Sequence, residues 1–129
     1  MAAEGRSALT KMLQDHQPVV DAFWREATGP LDLEWGDTGT AERKYEDGWG
    51  VAKISKKHSD ALMRLPEIIA CGAIYAHPKN PNRIVIIKGD TFAVFQKDGN
   101  GHFLFTGMRA VEKRYAADMR RGRMMEAGR

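Results

Sequence analysis

The chain has 129 residues, of which 43% are hydrophobic and 29% charged, and its formal net charge is +3. This composition is typical of a globular protein, and the length suits one domain with a core of its own. No apolar run approaches the ~20 residues that a membrane-spanning helix needs, and the first residues lack the apolar centre of a secretory signal. We therefore predict a single domain over residues 1–129, with no membrane partner.

The positive charge is concentrated at the C-terminal end. From Arg109 onward the net charge is +4, so the rest of the chain carries −1. A basic end is compatible with a polyanionic partner such as a nucleic acid, and also with a helix end that only interacts with water. The single cysteine, Cys71, cannot form an intramolecular disulfide. This fits a reducing compartment and predicts a cytoplasmic location.

The first 30 residues predict a helical segment. Ser7 can cap a helix, apolar residues recur at helical spacing from Leu9, and Pro18 is expected to interrupt the helix before it resumes. The alternating segment LDLEW then predicts a short strand, and residues 36–48 predict a polar loop.

The middle of the chain changes from helical to strand patterns. GVAKISKKH predicts a helix that ends at His58, and LPEIIACG predicts a second short helix. Strands are predicted in IYAHP, NRIVIIK, TFAVFQK and HFLFTG, with hairpin turns between the last three. A basic helix or tail over residues 114–129 should fray after Gly122. The predicted fold class is α+β, with N-terminal helices packed on an antiparallel β-meander of about four strands and a C-terminal helix.

Several side chains suit the cleavage of RNA by its own 2′-hydroxyl. That reaction needs a base, an acid and donors that stabilise the charge on the phosphate, and it needs no metal. The candidates for proton transfer are His58, His77 and His102, since histidine titrates near neutral pH. The candidates for binding substrate are Lys53, Lys57, Arg83, Lys97, Arg109, Thr106 and, as a platform for a base, Trp49.

Each candidate also has a purely structural interpretation. His58 can satisfy carbonyl groups at a helix end, Lys57 can lie on a solvated helix face, and Trp49 can belong to the core. The sequence lacks a GxxxxGK phosphate loop, a dinucleotide-binding fingerprint and the histidine and cysteine spacing of a zinc site. We therefore predict neither a cofactor nor a metal ion.

These segments, in this order, resemble the phage-type branch of the barnase–EndoU–colicin–RelE nucleases. The resemblance runs from about Leu31 to Lys113, which is predicted as the nuclease-like core, and depends on the glycine-led helix ending in His58, the LPEII helix and the strand ending in Thr106. It implies a metal-independent endoribonuclease fold in which N-terminal helices pack on a four-stranded antiparallel sheet.

The resemblance also implies roles for individual residues. The family's helix histidine corresponds to His58, its basic strand position to Arg83 and its late-strand hydroxyl to Thr106. The family often has a second histidine where this chain has Lys53, which suits a phosphate ligand better than a base because lysine is normally charged at neutral pH.

The predicted function is metal-independent endoribonuclease activity that produces a 2′,3′-cyclic phosphate, with catalytic residues His58, Arg83, Thr106 and Lys53. The implied setting is the cytoplasm of a bacterial host or a virion, and the implied partners are RNA and either an inhibitor protein or a phage head protein. Two alternatives stay open: a nucleic-acid-binding module without catalysis, and a phage structural protein that keeps the fold as a scaffold.

Overall fold

A computed structural model describes residues 2–44, 47–57, 62–89, 91–110 and 113–128. In these ranges the elements are α1 (Ala2–Asp15), β1 (Val19–Arg25), β2 (Gly29–Leu33), a short 3-10 helix (Ala41–Arg43), α2 (Gly50–Lys57), α3 (Leu65–Cys71), β3 (Ala73–Ala76), β4 (Arg83–Lys88), β5 (Thr91–Lys97), β6 (Phe103–Ala110), α4 (Lys113–Arg120) and β7 (Met124–Glu126).

The described strands form one curled, mixed sheet with the shape of a half-barrel. Its seven strands lie in the order β1-β2-β6-β5-β4-β3-β7. Strands β3, β4, β5 and β6 are antiparallel neighbours, whereas β2 pairs with β6 in parallel. The edge strands are β1, antiparallel to β2, and β7, antiparallel to β3.

The two faces of the sheet have different coverings. We call the face that carries Ile84, Phe95 and Phe105 the inner face, because these side chains share one core with residues of α1, α2 and α3. The rings of Phe95 and Phe105 meet edge to face, with centroids 5.6 Å apart. The opposite, outer face carries Val85 and Phe92, which pack with Met119 of α4. Because both faces of β4 are covered, its sequence is apolar at consecutive positions.

The predicted fold class, N-terminal helices on an antiparallel meander of about four strands with a C-terminal helix, is wrong. The sheet has seven strands and mixed pairing, and the helices are distributed along the chain. The predicted second N-terminal helix is the strand β1, which is rich in the β-branched and aromatic residues that favour strands. At Asp21 the backbone has φ +55°, and the register shifts between Val19 and Phe23. This bulge interrupts the two-residue alternation by which a strand is usually identified.

The prediction of a fraying tail after Gly122 is also wrong. Residues Met124–Glu126 form β7, and the Ala76 N–H donates to the Arg123 carbonyl at 2.8 Å. A β-carbon at Gly122 would lie 2.0 Å from the Ala76 carbonyl oxygen, so only glycine lets the chain approach β3 this closely. The tail therefore pairs with the backbone of an edge strand that would otherwise be open.

A buried ion pair joins the two edges of the sheet. Arg25 of β1 is wholly buried, and its Nε donates to Oε2 of Glu126 in β7. Its Nη1 donates to the Ile69 carbonyl in the last turn of α3 at 2.9 Å, and its Nη2 donates to the Ala127 carbonyl at 3.4 Å. One guanidinium thus connects β1, α3 and the C-terminal strand.

Candidate active site

A row of side chains, all polar except one leucine, crosses the outer face beyond Val85 and Phe92, which pack with α4. We call it the outer row, and its members are His77, Arg83, Gln96, Leu104 and Asp32 in spatial order. Arg83 pairs with Gln96, Gln96 with Leu104 and Leu104 with Asp32. His77 extends β3, and its N–H donates to the Arg83 carbonyl at 2.9 Å. By strand alternation, all five side chains project from the same face.

At one end of this row, His102 is held by a buried carboxylate. Asp32 lies between Leu31 and Leu33 on β2, and its Oδ2 is 3.0 Å from Nδ1 of His102, with the side chains 6% and 36% exposed. Oδ1 of Asp32 accepts the Asp21 N–H at 2.8 Å, so the bulge in β1 supplies the second partner of this buried group. The hydrogen bond to Asp32 and the charge of Asp32 raise the pKa of His102 above its usual 6.5.

The hairpin turn before β6 places His102. Oδ1 of Asp98 accepts the N–H groups of Asn100 and His102, both at 2.9 Å, and the Asp98 N–H donates to the His102 carbonyl at 2.8 Å. The surroundings are acidic: burial, and then the charges of Asp32 and Asp98, raise the pKa of Glu34. The charges of Asp32, Asp21 and Asp98 favour the protonated form of His102.

In the middle of the row, Arg83 is half-buried and donates from Nε to Oε1 of Gln96 at 3.1 Å. This bond holds the guanidinium toward β5, the strand that separates it from β6. A guanidinium has five N–H donors, so use of Nε leaves its two terminal amino groups to contact an acceptor such as phosphate.

At the other end, the imidazole of His77 is fixed by the loop that follows it. Its Nδ1 accepts the backbone N–H groups of Lys79 and Asn80, both at 3.1 Å. Because those groups can only donate, Nδ1 carries no proton and Nε2 carries one. Burial, and then the charges of Arg83 and Lys79, lower the pKa of His77. His77 is thus a neutral hydrogen-bond donor beside a cation.

Among the predicted residues, Arg83 lies on the outer row, whereas Lys53 and Lys97 belong to the other face of the sheet. Lys53 belongs to α2, which packs on the inner face. Lys97 also turns to the inner face, with Nζ 5.9 Å from the centroid of the Phe103 ring. The Thr106 hydroxyl donates to the Val94 carbonyl at 3.1 Å, close to the register shift between β5 and β6.

The structure gives little information on the remaining four predicted residues, which are Trp49, Lys57, His58 and Arg109. Trp49 is exposed, and its backbone bridges to Asp37 just before α2. His58 lies outside the described residues, and the side chains of Lys57 and Arg109 are likewise outside them. The roles assigned to these residues stay predictions.

Three groups at the acidic end have the spacing of metal ligands. Asp21, Asp32 and His102 each offer a ligand atom, and these atoms lie within 4.8 Å of one another. Two carboxylates and an imidazole could hold a divalent cation. The hydrogen bond between Asp32 and His102 accounts for their proximity without an ion, and the Asp21 backbone N–H donates to the same carboxylate.

Asp32 and Gln96 are the site residues that the sequence did not indicate. Asp32 alternates with two leucines, which is the pattern of a strand with one face in water. Its burial depends on the parallel pairing of β2 with β6, which brings together residues 70 positions apart. The only local signal is that the segment has an acidic residue at the centre of an otherwise apolar strand.

Comparisons with known proteins add no family assignment. No protein-family model, curated protein or solved structure matches this chain. Among the described residues, no helix is long and apolar enough to span a membrane.

Proposed function

We propose that this chain is a metal-independent endoribonuclease that cleaves RNA by attack of the 2′-hydroxyl and leaves a 2′,3′-cyclic phosphate. The observation that supports this best is the histidine–carboxylate pair, His102 and Asp32, on the same uncovered sheet face as Arg83. Together these groups supply a proton-transfer group and a cation for the phosphate, which are two of the three needs of the reaction.

In this proposal His102 is the general acid. Asp32 accepts a hydrogen bond from the Nδ1–H group of His102 and raises the pKa of the imidazole, so the ring is protonated over a wider pH range. Its Nε2–H can then donate a proton to the 5′-oxygen as the P–O bond breaks. Asp32 stabilises the imidazolium and holds its orientation. The 2′-hydroxyl proton would go to a base, for which His58, predicted as a proton-transfer group that lies outside the described residues, is the candidate.

Arg83 binds the phosphate in this proposal. The Cα atoms of Arg83 and Leu104 are two strand spacings apart, about 10 Å. The bond to Gln96 holds the guanidinium over the intervening strand, which brings it closer to His102. A phosphate between the two side chains would receive a charge-assisted hydrogen bond from each.

The biological setting depends on the resemblance alone. A phage-type nuclease would act in the cytoplasm of a bacterial host or travel with the virion, and its partners would be RNA and either an inhibitor protein or a phage head protein. The uncovered outer row is where such an inhibitor would block the site.

The test is the cleavage of cellular RNA in excess EDTA by the full chain and by matched variants. His102→Asn keeps an amide nitrogen close to the position of Nδ1, so the bond to Asp32 can form while Nε2 is lost. We expect cleavage by His102→Asn to fall at least 100-fold, the lower end of the effect of general acid catalysis. Arg83→Gln should also cleave slowly, whereas Lys97→Gln, a cation on the other face, should cleave like the wild type.

The outcomes separate the alternatives. Cleavage that persists in His102→Asn would show that His102 is not the acid. Cleavage that is lost in His58→Ala would support a role for His58 in proton transfer. A wild-type protein that binds RNA in a salt-dependent manner without cutting it would be a binding module. If it neither binds nor cuts, the endoribonuclease proposal is wrong.

A further inference from the structure

We propose that His77 forms a second phosphate subsite, which binds an RNA phosphate next to the one being cleaved. This inference rests on the proposed function and deepens it, because it defines the shortest substrate that the protein binds fully. It assigns to His77 the role of a neutral hydrogen-bond donor rather than that of an acid or base.

The first support is the fixed orientation of the imidazole. Two backbone N–H groups, from Lys79 and Asn80, hold Nδ1 at 3.1 Å each, and Nε2–H is therefore the donor that the ring presents. A ring held in this way has already lost its rotational freedom, so a ligand does not have to order it.

The second support is the position next to Arg83. The two residues are opposite each other on neighbouring strands, since the His77 N–H donates to the Arg83 carbonyl at 2.9 Å. Side chains in such a pair start about 5 Å apart on one face. A neutral imidazole can stand beside a guanidinium without charge repulsion, and both can donate to an anion. Lys79, whose charge reaches His77, adds to the positive field.

The third support is the length of the outer row. Four strand spacings of about 4.8 Å separate His77 from Asp32, which makes the row about 19 Å long. One phosphate cannot contact both ends of such a row. An RNA strand with its scissile phosphate between His102 and Arg83 would place a different phosphate at His77. The ligand at the His77 end of the outer row is therefore a second phosphodiester of the same RNA.

His77 also has a structural role, because it closes the loop between β3 and β4. The substitution His77→Asn separates the two roles. The Oδ1 of asparagine can accept the same backbone N–H groups in an Asx turn, so the loop keeps its bonds. The variant lacks Nε2–H and cannot reach the phosphate. A purely structural histidine would therefore be replaced without loss of binding.

The experiment compares uncleavable 2′-deoxy oligonucleotides, a dinucleotide with one phosphate and trinucleotides extended by one nucleotide on either side. Dissociation constants are measured by NMR titration of the full chain at one salt concentration. We expect one of the two trinucleotides to bind wild type about tenfold more tightly than the dinucleotide, the usual worth of one hydrogen bond to a charged group. His77→Asn should lose this gain and bind the dinucleotide normally. His16→Asn, a change of an exposed histidine after α1, should keep the gain.

The results distinguish this inference from the proposed function. If wild type binds the dinucleotide and gains nothing from either extension, or if His77→Asn keeps the gain, the subsite is refuted and the endoribonuclease proposal stands. If wild type binds no oligonucleotide and cuts no RNA, both proposals are refuted.

Discussion

The buried ion pair between Arg25 and Glu126 makes a strong prediction about stability. Arg25→Met keeps most of the side-chain volume but removes every donor. The change leaves the Glu126 carboxylate without its guanidinium and removes the Arg25 donors from the carbonyls of Ile69 and Ala127. Removal of one partner from a buried pair typically costs roughly 3–5 kcal/mol, because the other charge stays buried.

The structure favours the lower end of that range. The side chain of Glu126 is 17% exposed, so water can reach it, and its Oε1 also accepts the Ala27 N–H at 3.0 Å. We therefore expect Arg25→Met to lower the free energy of unfolding by about 3 kcal/mol. This is a large share of the roughly 5–15 kcal/mol by which a domain is stable. Urea denaturation followed by circular dichroism measures the change.

A matched control comes from an exposed pair of the same kind. Nη1 of Arg121 lies 3.9 Å from Oδ1 of Asp118, and the Arg121 side chain is 80% exposed. Arg121→Met should cost less than about 1 kcal/mol, as is usual for surface ion pairs. Substitution of both Arg25 and Glu126 by apolar residues should cost less than Arg25→Met alone, since no charge is left buried. If Arg25→Met costs no more than Arg121→Met, the ion pair does not hold the sheet edges together.

Two further predictions concern a glycine and a histidine. Gly36→Ala should destabilise the loop under Trp49 by several kcal/mol, because φ is +74° and the new β-carbon would lie 2.2 Å from the Trp49 carbonyl oxygen. At Gly29 φ is +71°, but no atom lies within 4 Å of an added β-carbon, so Gly29→Ala should lower the free energy of unfolding by only about 1 kcal/mol. Thermal unfolding of both variants measures the two losses, and equal losses would contradict the role of the close approach at Gly36. The raised pKa of His102 predicts that its contribution to stability is complete below pH 6.5 and is lost as the pH rises through the higher folded-state pKa. Denaturation between about pH 5 and 9 should show this loss in wild type but not in His102→Asn, and a pH dependence shared by both proteins would assign it to another group.

Helices and turns could be predicted where the residues of one short segment determine the conformation of that segment. The segment GVAKISKKH correctly predicted a helix where α2 lies, although its predicted end at His58 is outside the described residues, and the segment LPEIIACG correctly predicted α3. The turn at Gly89, where φ is +60°, was predicted from its sequence, and β4 and β5 pair across it. In each of these segments the residues that determine the conformation are neighbours in the chain.

The sheet as a whole could not be predicted in this way. Strand β1 is interrupted by the bulge at Asp21, so its buried residues do not alternate. The strand β7 has only three residues, too few to show a period, and it forms because the edge of β3 offers backbone partners. The parallel pairing of β2 with β6 joins segments that are separated by most of the domain. Such pairings depend on the packing of the whole core rather than on local propensity.

The same contrast explains why the candidate site was only partly foreseen. Arg83 was predicted as a phosphate ligand from its residue type and from the basic strand position that the resemblance implies. His102 was recognised as a proton-transfer group, but its partner Asp32 becomes visible only when β2 lies beside β6. A buried carboxylate that controls a histidine is therefore a tertiary feature, and it was hidden in an ordinary alternating strand.

The division of the sheet into two faces decides where chemistry can occur. The inner face is filled by aromatic and aliphatic side chains under three helices, so a polar group there would lose its water without gaining partners. On the outer face, α4 packs over Val85, Ile87 and Phe92, and at the other end of the strands the described part of the chain leaves His77, Arg83 and Gln96 partly exposed. At that end the outward positions of β3, β4, β5 and β2 are His77, Arg83, Gln96 and Asp32. Their side chains bond to one another or to the backbone rather than to a core. A polar ligand can reach these groups without displacing core side chains, and this is why we propose the RNA site on the outer row.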